Sequence, residues 1–235
     1  VLYFMMEVLK KKESNIDQLR FRDRVHAGNL LAERLSTSPS LNSRDRSQAI
    51  VLGIPRGGVI IADIVARKLS TDFDVAMGRK LGAPENSELA IGAIMEDGTT
   101  YMNEYLIKAL KLSEDYLERE KAKQLAVIKH RSALYPKNRE YRLRDRIVIL
   151  TDDGIATGAT IIAAARWIRK QSPNYLIIAV PVAPPQTVDI LRQEADAVDV
   201  ILSPEALNSV GQFYENFEPI TDDQVREILI GETHF

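Results

Sequence analysis

The chain has 235 residues, 45% hydrophobic and 27% charged, with a net charge of −2 and a pI of about 6.0. That length and balance support one substantial core without general disorder, and the charge lacks the basic footprint of a dedicated nucleic-acid binder. No apolar run approaches the roughly 20 residues of a membrane helix; there is no cysteine for disulfide or thiolate chemistry, and His26, His130 and His234 are too scattered to suggest a metal cluster.

In chain order, Val1 to Met6 is apolar without a basic leader or cleavage site, so no secretory signal is expected and the cytoplasm is the default compartment. Val1–Phe4 reads as a candidate for sequence upstream of a start at Met5 or Met6, and Lys10-Lys11-Lys12 as a solvated terminus. Phe21 to Leu35 carries Val25, Leu30, Leu31 and Leu35 among charges, which predicts an amphipathic helix followed by a loop from Ser36 to Ser47. Core strands are predicted at Ile50–Ile54, Asp74–Met77, Ile147–Leu150, Leu176–Pro181 and Ala197–Leu202. Helices are predicted at Val59–Leu69, Ala159–Lys170 and Gln186–Glu194. Strands alternating with helices imply a parallel sheet with ligands at the C-terminal strand ends.

Between these, Asn103 to Leu134 reads as a helical insertion in which Ser113 caps a helix that Glu114 and Asp115 favour at its start. Its Glu118, Glu120, Lys121 and Lys123 read as a solvated face. Tyr116, Leu117, Leu125, Ile128 and Leu134 are candidates to pack on the domain or on a second subunit. Thr221-Asp-Asp-Gln224 has capping-box spacing before a last helix. One α/β domain over residues 1–235 is expected, with the insertion at about 103–134 and a C-terminal extension from about 203 to 235.

The richest stretch runs from Arg146 to Thr160. A buried β-branched strand leads into Asp152-Asp153-Gly154-Ile155-Ala156-Thr157-Gly158-Ala159-Thr160 and then a helix. That order aims loop amides and the positive end of a helix dipole at one point, which suits a phosphate dianion. Gly154 and Gly158 let the backbone approach, and Thr157 and Thr160 add hydroxyl donors. Asp152 and Asp153 are suited to accept hydrogen bonds from vicinal sugar hydroxyls or to hold the water shell of magnesium. A second strand, Gly-rich turn and helix start surround Pro55-Arg56-Gly57-Gly58, where Arg56 is either an anion-binding charge or simply solvated.

The hydrophobic run, two acids, spacer and Ala-Thr-Gly-Ala-Thr of this stretch resemble the phosphoribosyl-pyrophosphate (PRPP) signature of type I phosphoribosyltransferases, and within them a poorly characterised bacterial group. Pro55-Arg56-Gly57-Gly58 is similar to the family's pyrophosphate loop. Arg79-Lys80, followed by a Gly- and Pro-containing stretch to Gly92, resembles the mobile lid of its adenine and orotate enzymes. The resemblance covers about Ile50 to Thr160 and implies a Rossmann-like parallel-sheet core.

It implies a magnesium-dependent transfer of ribose-5-phosphate from PRPP to a nitrogenous base or related acceptor. The 5-phosphate is expected on Ala156, Thr157, Gly158, Ala159 and Thr160. The ribose, and indirectly magnesium, are expected on Asp152 and Asp153. Pyrophosphate is expected at Pro55, Arg56, Gly57 and Gly58, with Arg79 and Lys80 stabilising its departing charge. Ala156 stands where 6-oxopurine enzymes commonly carry a further aspartate, which argues against a 6-oxopurine acceptor; the adenine enzymes use an acid of the lid, for which Glu88 or Glu85 are the candidates here. Gln212, Phe213 and Tyr214 are candidates to stack on and bond a base, or else aromatics anchoring the C-terminal segment. A homo-oligomer is expected from the family. The alternative is a PRPP-binding sensor without turnover.

Overall fold

The computed structural model describes residues 20–135 and 142–231. The Lys10-Lys11-Lys12 run, the candidate start and His234 lie outside them. The chain begins with α1 (Arg24–Thr37), a short α2 (Pro39–Asn42), β1 (Ala49–Gly53), α3 (Gly57–Leu69) and β2 (Asp72–Val75). Strands β3 (Gly78–Ala83), β4 (Asn86–Met95) and β5 (Thr100–Met102) follow, then helices α4 (Glu104–Ala109) and α5 (Glu114–Leu134). The last part holds β6 (Ile147–Thr151), α6 (Ala159–Arg169), β7 (Tyr175–Val182), α7 (Pro185–Leu191), β8 (Ala197–Leu202) and α8 (Asp222–Ile230).

Five strands form a parallel sheet in the order β2-β1-β6-β7-β8. Parallel neighbours need crossovers, supplied by α3, α6 and α7. Chain order runs outward to β2 on one side and through β6, β7 and β8 on the other. The switch point, where a crevice opens at the strand C-terminal ends, therefore lies between β1 and β6.

The central strands are buried on both faces, as their continuous apolar runs predict. Ile50, Leu52, Val148, Leu150 and Ile178 pack on the α6 side against Ile161, Ala165 and Ile168. The alternate set, Val51, Ile147, Ile149 and Ile177, packs on the α1 and α3 side against Leu31, Leu35 and Ile61. A third cluster joins Ile60 and Ile64 of α3 to Leu81, Ile91 and Ile94 of the β3–β4 hairpin, Ile128 of α5 and Ile228 of α8.

The expected lid is where the structure departs most from the sequence-based expectation. Gly78 to Met95 is not a strand end followed by a loop but an antiparallel hairpin, turned at Pro84-Glu85 and extended by β5 into a second, three-stranded sheet. Arg79 and Lys80 sit within β3, opposite Ile94 and Ala93. The expected loop from Ser36 to Ser47 contains α2 and a single helical turn at Arg46–Gln48. The caps hold as expected: Ser113 accepts from the Tyr116 amide, and Thr221 and Gln224 form a reciprocal capping box. Glu120, by contrast, is buried rather than solvated, and its carboxylate accepts from Gln124 Nε2 at 2.7 Å.

Candidate active site at the switch point

The loops after β1 and β6 meet at the switch point. Ile54 N–H donates to the Thr151 carbonyl at 3.0 Å, which ties the strand ends together. Beyond that bond the Pro55–Arg56 peptide is cis, and α3 begins at Gly57. A Cβ on Gly57 would overlap Asp153 Oδ2, and one on Gly58 would lie 2.8 Å from the Cα of Asp152 and 2.9 Å from its Oδ1. Both glycines are required because the arginine-glycine-glycine loop lies directly against the acid pair.

Asp152 Oδ1 accepts from the Asp153 amide at 2.8 Å. Burial, reinforced by the neighbouring Asp153 charge, pushes the Asp152 carboxyl well above the usual carboxylate range. Burial also raises Asp153, opposed by Arg24, whose Nε donates to Asp153 Oδ2 at 2.8 Å. Arg24 was not singled out in the sequence. Among the described residues Asp152 has no ion-pair partner, and no three acidic or histidine groups cluster as a metal cage.

The loop from Gly154 to Gly158 leads from β6 into α6. Ile155 N–H donates to the Val182 carbonyl at 2.8 Å, and Thr187 Oγ1 donates to the Ala156 carbonyl at 2.9 Å, so β7 and α7 brace the loop from below. Gly158 caps α6 with φ of 78°, the left-handed region in which glycine is at ease. The first-turn amides, including those of Ala159 and Thr160, have no intrahelical acceptors, and the positive end of the α6 dipole lies with them. Thr157 is exposed beside them.

Two groups of cations adjoin the loops differently. Arg79 Nε donates to Gln124 Oε1 at 2.7 Å, and Gln124 passes the chain of bonds to Glu120, which also accepts from the Gly82 amide at 3.4 Å. Tyr116 Oη donates to the Gly82 carbonyl at 2.8 Å. Helix α5 thus grips β3 at Arg79 and at Gly82. Burial, then the nearby charges of Arg131 and Arg56, lower the Arg79 pKa, so three arginines form one positive region. Arg131, which pairs with Asp222 at 3.3 Å, was also missed by the sequence reading. Lys80 instead pairs with Glu88 at 2.5 Å, and that hydrogen bond lowers the Glu88 pKa. Glu88 and Glu85 are both exposed on the hairpin.

Of the two roles open to the C-terminal aromatics, stacking on a base or anchoring their segment, burial favours the second. Phe213 and Tyr214 are 5% and 4% exposed, so neither offers a free face to a flat base. Tyr214 packs between Phe21 and Phe217, and its Oη donates to the Asp153 carbonyl at 2.5 Å. Gln212 spends its amide on the Ser209 cap. The segment anchors the acid loop from behind.

A parallel sheet with a glycine loop, an acid pair and a helix N-terminus gathered at its switch point defines an α/β protein with a candidate ligand crevice at the strand C-terminal ends. The chain belongs to the phosphoribosyl transferase domain family, whose model matches residues 24–214. Two Mycobacterium tuberculosis proteins, from strains CDC 1551 / Oshkosh and ATCC 25618 / H37Rv, carry the provisional name phosphoribosyl transferase. Each is 38% identical over 210 residues, 89% of this chain and 46% of theirs. The chain spans about half the length of these curated relatives. The crystal structure of TT1426 from Thermus thermophilus is 40% identical and superposes with a TM-score of 0.73, covering 90% of this chain and 98% of that one.

Proposed function

We propose that this chain binds PRPP at the switch point and transfers its ribose-5-phosphate to a nitrogenous acceptor, releasing pyrophosphate. The observation that carries the reading is the closure of Gly57-Gly58 onto Asp152-Asp153, because it brings a pyrophosphate loop and a ribose-binding acid pair within contact of each other. The 5-phosphate takes the amides of Ala156 to Thr160. The ribose hydroxyls take the carboxylates of Asp152 and Asp153. The bond from the anomeric carbon to pyrophosphate breaks as the bond to the acceptor nitrogen forms, and the carboxylates beneath the ribose favour the positive charge that develops between these events. Arg56, Arg79 and Lys80 meet the charge on the departing pyrophosphate.

The donor set fits magnesium held through its water shell and through phosphate oxygens rather than in an all-protein cage. Asp152 and Asp153 are the residues that would hold it through that water shell, and the ion would supply charge neutralisation on the pyrophosphate. A homo-oligomer belongs to this proposal on the family resemblance alone, and the cytoplasm is its default setting. A PRPP sensor without turnover is the second reading, favoured by the pairing of Glu88 with Lys80 and by alanine at 156, which leave no uncommitted acid at either expected position except Glu85.

The test is pyrophosphate release from PRPP and magnesium with a pool of purine and pyrimidine bases, beside an Asp152→Asn, Asp153→Asn double variant. Base-dependent release that the variant loses is the expected result, and deconvoluting the pool names the acceptor. PRPP binding without release from any base favours the sensor, and no PRPP binding overturns both readings.

A further inference from the structure

Arg24 is an arginine buried to 8% exposure at the first turn of α1, outside the strand-loop-helix units that form the switch point. Its guanidinium is committed on three sides. Nε donates to Asp153 Oδ2 at 2.8 Å, Nη1 donates to the Glu218 carbonyl at 2.9 Å, and the group lies 3.8 Å over the Phe217 ring. A buried charge is costly unless it is paired and hydrogen-bonded in this way.

The surroundings hold the cation in place. Phe21 N–H donates to the Phe213 carbonyl at 2.8 Å, Glu215 N–H donates to the Phe21 carbonyl at 2.8 Å, and Asn216 N–H donates to the Arg22 carbonyl at 2.9 Å. The start of α1 and the 213–217 segment are therefore already laced together through the backbone, and the Arg24–Asp153 pair is not needed to join them. On its other side the pair meets the pyrophosphate loop, since a Cβ on Gly57 would lie 2.8 Å from Arg24 Nε as well as overlapping Asp153.

We infer that Arg24 is a positioning residue: it fixes Asp153 as an oriented hydrogen-bond acceptor beneath the ribose and leaves Asp152 as the acid of the pair without a cation of its own. The two adjacent carboxylates are thereby unequal. Asp153 is held by Arg24 at its carboxylate and by Tyr214 at its carbonyl, while Asp152 accepts from the Asp153 amide. The assignment rests on the PRPP reading for the identity of the ligand. Lysine at 24 keeps the charge but loses the planar fork and the stack on Phe217.

The test is a double-mutant cycle in PRPP affinity, measured by calorimetry in magnesium buffer on the full chain. Arg24→Gln is expected to weaken PRPP at least tenfold in the wild-type background and less than threefold in the Asp153→Asn background, because its effect passes through that carboxylate. Arg24→Lys is expected to recover part of the loss, and it carries the test if Arg24→Gln does not fold. Equal losses in both backgrounds, or wild-type affinity in Arg24→Lys, overturn the positioning role while leaving the transferase reading standing. A wild-type chain that binds no PRPP overturns that reading and the assignment with it.

Discussion

Gly57 stands against the Asp153 carboxylate so closely that any side chain at 57 collides with Oδ2. The loop after β1 and the acids after β6 are one surface as a result. Gly57→Ala is expected to cost about 1–3 kcal/mol of stability by overpacking. It should also weaken PRPP at least about tenfold, since Asp153 must move to admit the methyl group. Urea denaturation and calorimetry on the same variant check both parts.

Gln124 links Arg79 of the hairpin to Glu120 of α5 from a buried position. Gln124→Leu removes an acceptor and a donor at once, leaving both neighbours short of a partner. A loss of about 1–3 kcal/mol is expected for groups so orphaned. In a pyrophosphate-release assay the same variant should lower turnover more than it raises the KM for PRPP, because a cation that meets the leaving group acts mainly in the transition state.

Asp63 is 2% exposed, with Oδ1 on Arg67 at 2.8 Å and Oδ2 without a hydrogen-bond partner among the described residues. Burial raises its pKa, opposed by Arg67. A carboxyl whose folded pKa lies above its unfolded value binds its proton more tightly when folded. Its contribution is therefore fully present below the unfolded pKa and is lost as pH rises through the folded one. Asp63→Asn should accordingly raise the Tm near neutral pH, with an advantage that shrinks toward acidic pH. Thermal melts of both proteins across that range decide it; an advantage independent of pH contradicts the burial argument.

Tyr214 is an anchor of the acid loop rather than a platform for a base. Tyr214→Phe removes the bond to the Asp153 carbonyl but keeps the packing, so a loss of about 1 kcal/mol is expected. The order of preference among acceptor bases should not change. A switch in that order, measured by competition, contradicts the anchoring role.

What the sequence shows and hides follows from the physics of each element. Strands β1, β6 and β7 declare themselves because parallel strands buried on both faces need continuous apolar, β-branched runs, as Ile147 to Leu150 does. The loops at Gly57 and Gly158 are legible because close approach and a positive φ demand glycine. The β3–β4 hairpin is obscured because Gly78, Gly82, Pro84 and the charges around them imitate a loop, although the apolar run Ile91 to Met95 is a strand signal. Arg24 is hidden for a different reason. One arginine on an amphipathic helix looks solvated until the distant 213–218 segment closes over it, and that pairing is a tertiary fact. Glu120 and Gln124 share a helix face at i, i+4, yet nothing local says that the face is buried under β3.

The most direct measurement is titration of PRPP into the wild-type chain and into the Asp152→Asn, Asp153→Asn double variant, by calorimetry in magnesium buffer. Loss of two charge-assisted contacts to the ribose predicts saturable binding to the wild type that is weakened at least about a hundredfold in the variant. Equal affinity in the two proteins, or no binding to the wild type, contradicts the account.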